Sequence, residues 1–397
     1  MDLSKIEFGA EMKKECFHFE EGYVFMNHAA YGEVPVLIRD KQKQLLDVQN
    51  DNTGTYFREV LPRMYMKSLQ AAAGFLGADV NNLVFVQNAT TGVNTVLRAF
   101  PWKVGDEILT TTYTYDAVRN TCSRIVQMFS GHVRELQIQF PIKDVSELTE
   151  AMTSCLKKYP NIKVVILDHI TSSTALLFPI KKMIEECRKR GVLVLIDGAH
   201  APGQVEINLE DLCPDFYVGN FHKWLYTPRG CAFLWVHRDH QSWCTPLVTS
   251  RQYNNGFQIE FCVQGTRDDI PYFLVPDAIL FLKELGGMEK INRYKRDLLD
   301  KATIMLTERL NTDVLQIPGS MEAPGMRMVL LPEYEDYPKT LEGSEKLFMD
   351  LTHKYKTNTA IYHVQGELYI RVSANIYNEM SDYQKLADVL CQLPRKH

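Results

Sequence analysis

The feature that most constrains this chain is a series of short, nearly unbroken apolar runs: Leu83–Val86, Glu107–Thr111, Val164–Leu167, Val192–Ile196, Asp215–Val218 and Cys231–Trp235. A strand with one face in water alternates apolar and polar side chains. A run of Val, Ile and Leu without alternation belongs to a strand covered on both faces. Helical patterns lie between these runs. Val93, Val96, Leu97 and Phe100 fall at i, i+3, i+4 and i+7, one face of a helix. Pro179 opens and Gly191 closes a second pattern, Ile180 to Arg190. Strands alternating with helices predict βαβ units, an α/β fold and a mostly parallel sheet.

Past about residue 270 the texture changes. Helical stretches dominate (Pro276–Leu285, Met288–Leu310, Pro338–Tyr355), with strand candidates at Arg327–Leu331 and Leu368–Val372. This predicts a smaller α+β C-terminal domain. The expected division is a large domain over 20–265 and a small one over 266–397, joined by 1–19; the 397 residues suit two to three domains of ordinary size.

Several function classes are disfavoured at once. Lys plus Arg is 44 against 49 for Asp plus Glu, a net charge of −5, so no basic excess exists to neutralise nucleic-acid phosphates. No apolar run reaches the ~18–20 residues of a membrane span. The opening residues lack the apolar stretch of a secretory signal, and Glu7, Glu11 and Glu15 argue against a transit peptide. Nine cysteines are scattered singly, with no Cys-x-x-Cys pair. That pattern predicts reduced, packed thiols and a cytoplasmic location, not a disulfide framework or a metal site.

Three places carry chemistry. Val192–Ile196 ends in Asp197, followed by Gly198-Ala199-His200. In open α/β sheets, ligands bind beyond the carboxyl ends of strands, where a carboxylate can pair with a protonated ring nitrogen. The bland alternative is a helix-capping Asp. Next comes Val218-Gly219-Asn220-Phe221-His222-Lys223-Trp224, a lysine among aromatics. Burial disfavours an ammonium, and a lysine so depressed can form a Schiff base with an aldehyde; a solvated surface lysine is the plain alternative. Last, Val86-Gln87-Asn88-Ala89-Thr90-Thr91-Gly92 lies between a strand and a helix. Free N–H groups and hydroxyls at a helix N-terminus suit a phosphate, although an Asn or Thr cap reads the same way. No Walker motif and no G-x-G-x-x-G is present.

Taken in order, these pieces resemble the fold-type-I pyridoxal-phosphate enzymes and, within them, the class V aminotransferase family. The resemblance covers most of the chain. It runs from Asn27-His28-Ala29-Ala30-Tyr31-Gly32 through Asn88–Asn94, Tyr115–Arg119, Asp168–Ser172, Asp197–His200 and His222-Lys223. It continues to Gly265–Asp268 and Arg371–Ala374. The opening and closing motifs are similar to the branch holding isopenicillin N epimerases and hercynylcysteine sulfoxide lyases.

The resemblance implies pyridoxal 5'-phosphate as cofactor, with Lys223 as its Schiff-base lysine and proton-transfer base. It implies Asp197 on the pyridine nitrogen, His200 near the phenolate oxygen and Tyr115 stacked on the ring. Thr90, with the Ala89 and Thr91 amides, would hold the phosphate, aided by Asn220 and His222. Thr266 would reach the phosphate of a neighbouring subunit, which implies a homodimer with shared sites. Arg371 would take the substrate α-carboxylate, with Asn27 and His28 over the substrate.

Sulfur abstraction by a desulfurase or selenocysteine lyase needs a nucleophilic cysteine on a loop upstream of the carboxylate arginine. Residues 310–371 contain none. The expected reaction is therefore C–S β-elimination from an S-substituted cysteine or cysteine sulfoxide, as in hercynylcysteine sulfoxide lyases. It would release a sulfur fragment, pyruvate and ammonia. Epimerisation, with Tyr115 or His28 protonating the opposite face, is the alternative, and transamination a further one. A non-catalytic relative that keeps the fold is the reading from another class.

Overall fold

The apolar runs pair with one another. In the computed structural model, which describes residues 2–396, seven strands form one sheet. They are β1 (Leu83–Val86), β2 (Glu107–Thr111), β3 (His132–Leu136), β4 (Ile162–Asp168), β5 (Leu193–Asp197), β6 (Phe216–Asn220) and β7 (Ala232–Val236). Their spatial order is β1-β7-β6-β5-β4-β2-β3. β7 runs antiparallel to both neighbours, and every other pairing is parallel.

Both faces of the sheet are covered, as unbroken apolar strands require. Val165 and Leu167 of β4 enter one apolar cluster, and Val164 and Ile166 enter the other. On the second face lie α1 (Ala89–Ala99) and α2 (Asp116–Val126), packed through Val93, Val96, Leu97, Val118 and Ile125. On the first lies α3 (Ile180–Arg188), packed through Met183, Ile184 and Cys187. At ~1.5–3 kcal/mol for each large apolar side chain removed from water, this three-layer core fixes where the strand ends stand. β3 escaped the apolar pattern because it is an edge strand, with only Leu136 buried among its five residues.

The C-terminal part forms an antiparallel sheet of β8 (Met326–Leu330), β9 (Ala360–Val364) and β10 (Glu367–Ser373), ordered β9-β10-β8. Against it pack α4 (Gly287–Leu310), α5 (Leu341–His353) and α6 (Met380–Gln392), through a cluster that includes Leu299, Leu306, Leu351, Ile370 and Leu386. β9 was not expected. Its turn to β10, Gln365-Gly366, has positive φ at both residues (49° and 83°), the primed hairpin geometry, without the usual Asn-Gly signature. α5 starts later than its pattern because Thr340 caps it, accepting the Gly343 N–H at 3.1 Å.

Packing does not stop at residue 265. Ile270, Phe273, Phe281 and Leu285 belong to the apolar cluster of the large sheet, and so do Leu3, Ile6, Met12 and Phe17. The first residues thus pack on the large body as well as touching the C-terminal part, where the Gly9 N–H donates to the Ile376 carbonyl at 2.7 Å.

Candidate active site

The C-terminal ends of β4, β5 and β6 and the N-terminus of α1 open on one cavity of about 170 Å³, at the sheet edge where α/β folds bind ligands. Asp168 ends β4 and Asp197 ends β5, opposite one another in parallel register. Both line the cavity and both are buried. Asp197 Oδ1 accepts the Ala199 N–H at 3.0 Å. Burial raises both carboxyls; for Asp168 the neighbouring Asp197 charge adds to it and drives the rise further.

Lys223 sits in the turn after β6. The turn is anchored by the Phe221 and His222 N–H groups, which donate to the Cys231 carbonyl at 3.1 and 3.2 Å. The amine projects into the cavity, with Nζ 3.1 Å from His200 Nε2. Burial pulls its ammonium down to about 8, against the pull of Asp197, while Arg371 lowers it further. Burial, with Lys223 and Arg371 nearby, holds His200 neutral. The Trp224 indole N–H faces His200 Nδ1 at 3.4 Å. The ring proton of neutral His200 therefore belongs on Nε2 once the Lys223 amine is neutral, above a pH of about 8, where it donates to that amine.

At the head of α1, Asn88 is the cap. Its Oδ1 accepts the Thr91 N–H at 2.8 Å and the Thr91 hydroxyl at 3.1 Å. Asn220 Oδ1 accepts the Ala89 N–H at 2.9 Å. Of the groups expected to face an anion, those of Ala89 and Thr91 are thus already held by the chain. Thr90 lines the cavity and has no hydrogen bond from its N–H or hydroxyl among the described residues. His222 also lines the cavity, with Nδ1 donating to the Cys231 carbonyl at 2.9 Å. Tyr115 stands at the rim, 49% exposed, as the residue preceding α2.

Arg371, on β10, is 1% exposed. One arm donates to the Ser172 carbonyl at 2.5 Å and the other to Asn27 Oδ1 at 2.8 Å, while buried Nε has no partner. The cation also lies 5.2 Å from the Tyr362 ring centre. None of these partners is an anion. A buried guanidinium so placed retains donors for a carboxylate. Asn27 acts on that arginine directly.

One expected position changes. His28 does not lie over the cavity. Its Nε2 bonds the Lys223 carbonyl at 2.7 Å and its Nδ1 bonds the Tyr377 hydroxyl at 2.9 Å, so both ring nitrogens are consumed. Burial pushes its pKa down to about 3, leaving it neutral and without a free proton-transfer site. The backbone there is tight: a Cβ on Gly32, φ 69°, would strike the His222 carbonyl. Thr266, expected to reach a neighbouring subunit and not its own site, lies away from the Lys223 cavity. It borders a separate groove of about 1030 Å³ with Thr53, Arg58 and Arg251. Sequence reasoning passed over Asp168 and Ser172 as individual site residues, although Asp168 carries the same strand-end signal as Asp197.

The donor set suits a phosphorylated aldehyde with a basic ring nitrogen. It offers a depressed amine, a free N–H and hydroxyl at a helix head, a buried carboxylate at a strand end, and an arginine awaiting an anion. Comparison with known proteins agrees. The chain matches the Aminotransferase class-V family over residues 50–386. It is 29% identical to a hercynylcysteine sulfoxide lyase of Schizosaccharomyces pombe, over 96% of this chain and 97% of that one. It is 30% identical to a putative L-cysteine desulfhydrase of Oryza sativa subsp. japonica, over 97% of this chain and 86% of the relative. A solved structure of C-DES, with glycine covalently linked to its PLP cofactor, superposes with a TM-score of 0.79 at 18% identity. It covers 94% of this chain and 97% of that chain, and so shares the fold. The strand-end carboxylate, the depressed lysine and these matches place the chain in the class V aminotransferase family, the pyridoxal 5'-phosphate enzymes of fold type I.

Proposed function

We propose that this enzyme is a carbon–sulfur β-lyase acting on an S-substituted cysteine or cysteine sulfoxide, similar to hercynylcysteine sulfoxide lyases. One observation carries the reading: a depressed amine, Lys223, lines the cavity, and a buried guanidinium without an anion, Arg371, bonds Ser172 in the wall of that same cavity. They match the two ends of an α-amino acid bound through its nitrogen and its carboxylate. The residues that would hold the cofactor are Thr90 at its phosphate, Asp197 at its ring nitrogen and Lys223 at its aldehyde carbon. Bound pyridoxal 5'-phosphate withdraws electrons from the substrate Cα and acidifies its proton.

The chain's residues do the rest. Asp197 keeps the ring nitrogen protonated. Arg371 grips the α-carboxylate with its fork, held in aim by Asn27 and Ser172. Lys223, as neutral amine, removes the Cα proton; the C–S bond breaks and its electron pair leaves with sulfur as thiolate or sulfenate. Lys223 then passes that proton to the departing sulfur, which leaves as thiol or sulfenic acid. The free aminoacrylate isomerises and takes up one water, giving pyruvate and ammonia. No cysteine lines the cavity, which favours elimination over persulfide formation. An epimerase needs an acid on the opposite face. His28 has no free nitrogen for that role, which leaves Tyr115 alone. We also infer a cytoplasmic homodimer, in which the groove holding Thr266 meets the partner's cofactor phosphate.

The test is to supply the holoenzyme with cysteine conjugates and their sulfoxides and to follow pyruvate. Pyruvate released in step with the sulfur product supports the lyase. No pyruvate, with a change only in optical rotation, refutes it in favour of the epimerase.

A further inference from the structure

We propose that Asp168 and Asp197 form a carboxyl pair holding a single proton, in which Asp168 is the neutral acid and Asp197 the anion. The second half of the assignment rests on the reading of Asp197 as the partner of the cofactor ring.

The geometry begins with the sheet. β4 and β5 are parallel neighbours, and Asp168 and Asp197 are Cα partners at their last positions. Partners in parallel register present side chains to the same face, with strands ~4.8 Å apart. Both carboxyls line the one cavity, and their residues are 3% and 5% exposed. The cations facing them are Lys223 from the turn after β6 and Arg119 from α2. Lys223 Nζ is directed at neutral His200. Arg119 is occupied by the Thr112 and Thr114 carbonyls at 3.0 and 3.1 Å and by Asp116 at 3.6 Å. Neither carboxyl has an ion-pair partner within 4.0 Å among the described residues. Two carboxylates so close, out of water and with no cation within ion-pair distance, do not both ionise.

The hydrogen bonds decide which one keeps the proton. Asp197 Oδ1 accepts a backbone N–H from Ala199, a bond that favours the charged form. The Asp168 carboxyl is reached only by its own backbone N–H, and its Oδ2 is buried without any partner. The proton therefore resides on Asp168, which takes none of the charge. Asp197 is left as the one anion of the pair, ready for a protonated ring nitrogen. Burial and the Asp197 charge both push the Asp168 carboxyl up, in agreement with this distribution.

Asp168→Asn, a neutral donor of the same shape, tests the pair in the apoprotein, where no lyase activity is needed. A carboxyl whose folded-state pKa is raised withdraws stability as pH climbs from the ordinary carboxylate range toward the raised value. The apo Asp168→Asn variant should therefore melt at or above wild type at pH 8, and its advantage should shrink as pH falls toward 4. Affinity of the variant apoprotein for pyridoxal 5'-phosphate should stay within about threefold of wild type. A melting temperature that falls below wild type at pH 8, or a loss of cofactor affinity beyond tenfold, overturns the proposal, because either means that position 168 needs its charge. Should Asp168→Asn not fold, infrared spectra of wild-type apoprotein at pH 7.5 with Asp168→Ser as the reference give the same answer. A protonated carboxylic-acid band lost in the variant supports the pair, and its absence from wild type overturns it. Absence of lyase activity leaves these results standing and counts only against the proposed function.

Discussion

Arg371→Ala separates carboxylate recognition from everything else this arginine does. In the free enzyme the guanidinium is buried, bonded to Ser172 and Asn27, and lacks an anion. Truncation leaves those two acceptors without a donor, at ~1–3 kcal/mol each. That cost falls equally on free and substrate-bound enzyme, so it lowers the melting temperature and leaves relative affinity alone. Loss of the buried pair with a substrate carboxylate is a separate term of ~2–5 kcal/mol. At ~1.4 kcal/mol per tenfold, kcat/KM falls roughly thirty- to four-thousand-fold, mostly through KM. The assay is thiol release from an S-aryl cysteine and from its carboxamide. Wild type should favour the acid strongly. The variant should treat acid and amide alike, with the amide's own kcat/KM nearly unchanged. Arg371→Lys, which keeps the charge without the two-armed fork, should recover part of the preference. Equal losses for acid and amide in Arg371→Ala would refute the reasoning, since they would make the residue a scaffold and not a carboxylate receptor.

Incorporation of pyridoxal 5'-phosphate into apoprotein, trapped with borohydride and located by peptide mass, should occur at Lys223 and quicken as pH rises through about 8, where the amine loses its proton; a rate flat from pH 7 to 9 would contradict this. Thr90→Val should weaken cofactor affinity roughly ten- to a hundredfold, since a hydrogen bond to a charged group contributes ~1.5–3 kcal/mol, whereas Thr91→Val should cost far less because Asn88 already holds that hydroxyl; equal losses would undo the assignment. His28→Leu should destabilise the apoprotein by ~2–5 kcal/mol through two orphaned buried groups. Because His28 is depressed to about 3, it opposes folding as pH falls below ~6.5, by roughly 2 kcal/mol at pH 5. The variant's acid melting curve should consequently be shallower than wild type, and a parallel curve would show that His28 is not held neutral.

How much of this was legible in the sequence follows from how local each signal is. Strands covered on both faces announce themselves residue by residue, so six of the seven strands of the large sheet fell where the apolar runs lie. β3 did not, because an edge strand carries His, Arg and Glu without cost. The rule that strand ends gather ligand-binding groups brought Asp197 and Lys223 forward only as candidates with plainer alternatives; their roles came from the resemblance to the class V aminotransferase family. Which of several cap-like groups at the head of α1 stays free could not be read, since Asn88 and Asn220 compete for the amides from 131 residues apart in the case of Ala89.

His28 shows where such reading fails. The resemblance put it over the substrate, whereas its ring bonds the Lys223 carbonyl. What the motif could not convey is the other nitrogen, spent on Tyr377, 349 residues away. A histidine with one free nitrogen near a reacting carbon is an acid or base, and the same ring with both engaged is a strut. The difference lies entirely in the last hydrogen bond, which only the folded chain supplies. By the same logic Asp168 and Asp197, alike in sequence as carboxylates ending apolar strands, part company on one buried oxygen, Asp168 Oδ2, that finds no partner. Residue type and strand position select the candidates for chemistry here, and the count of remaining hydrogen-bond partners decides which of them is free to perform it.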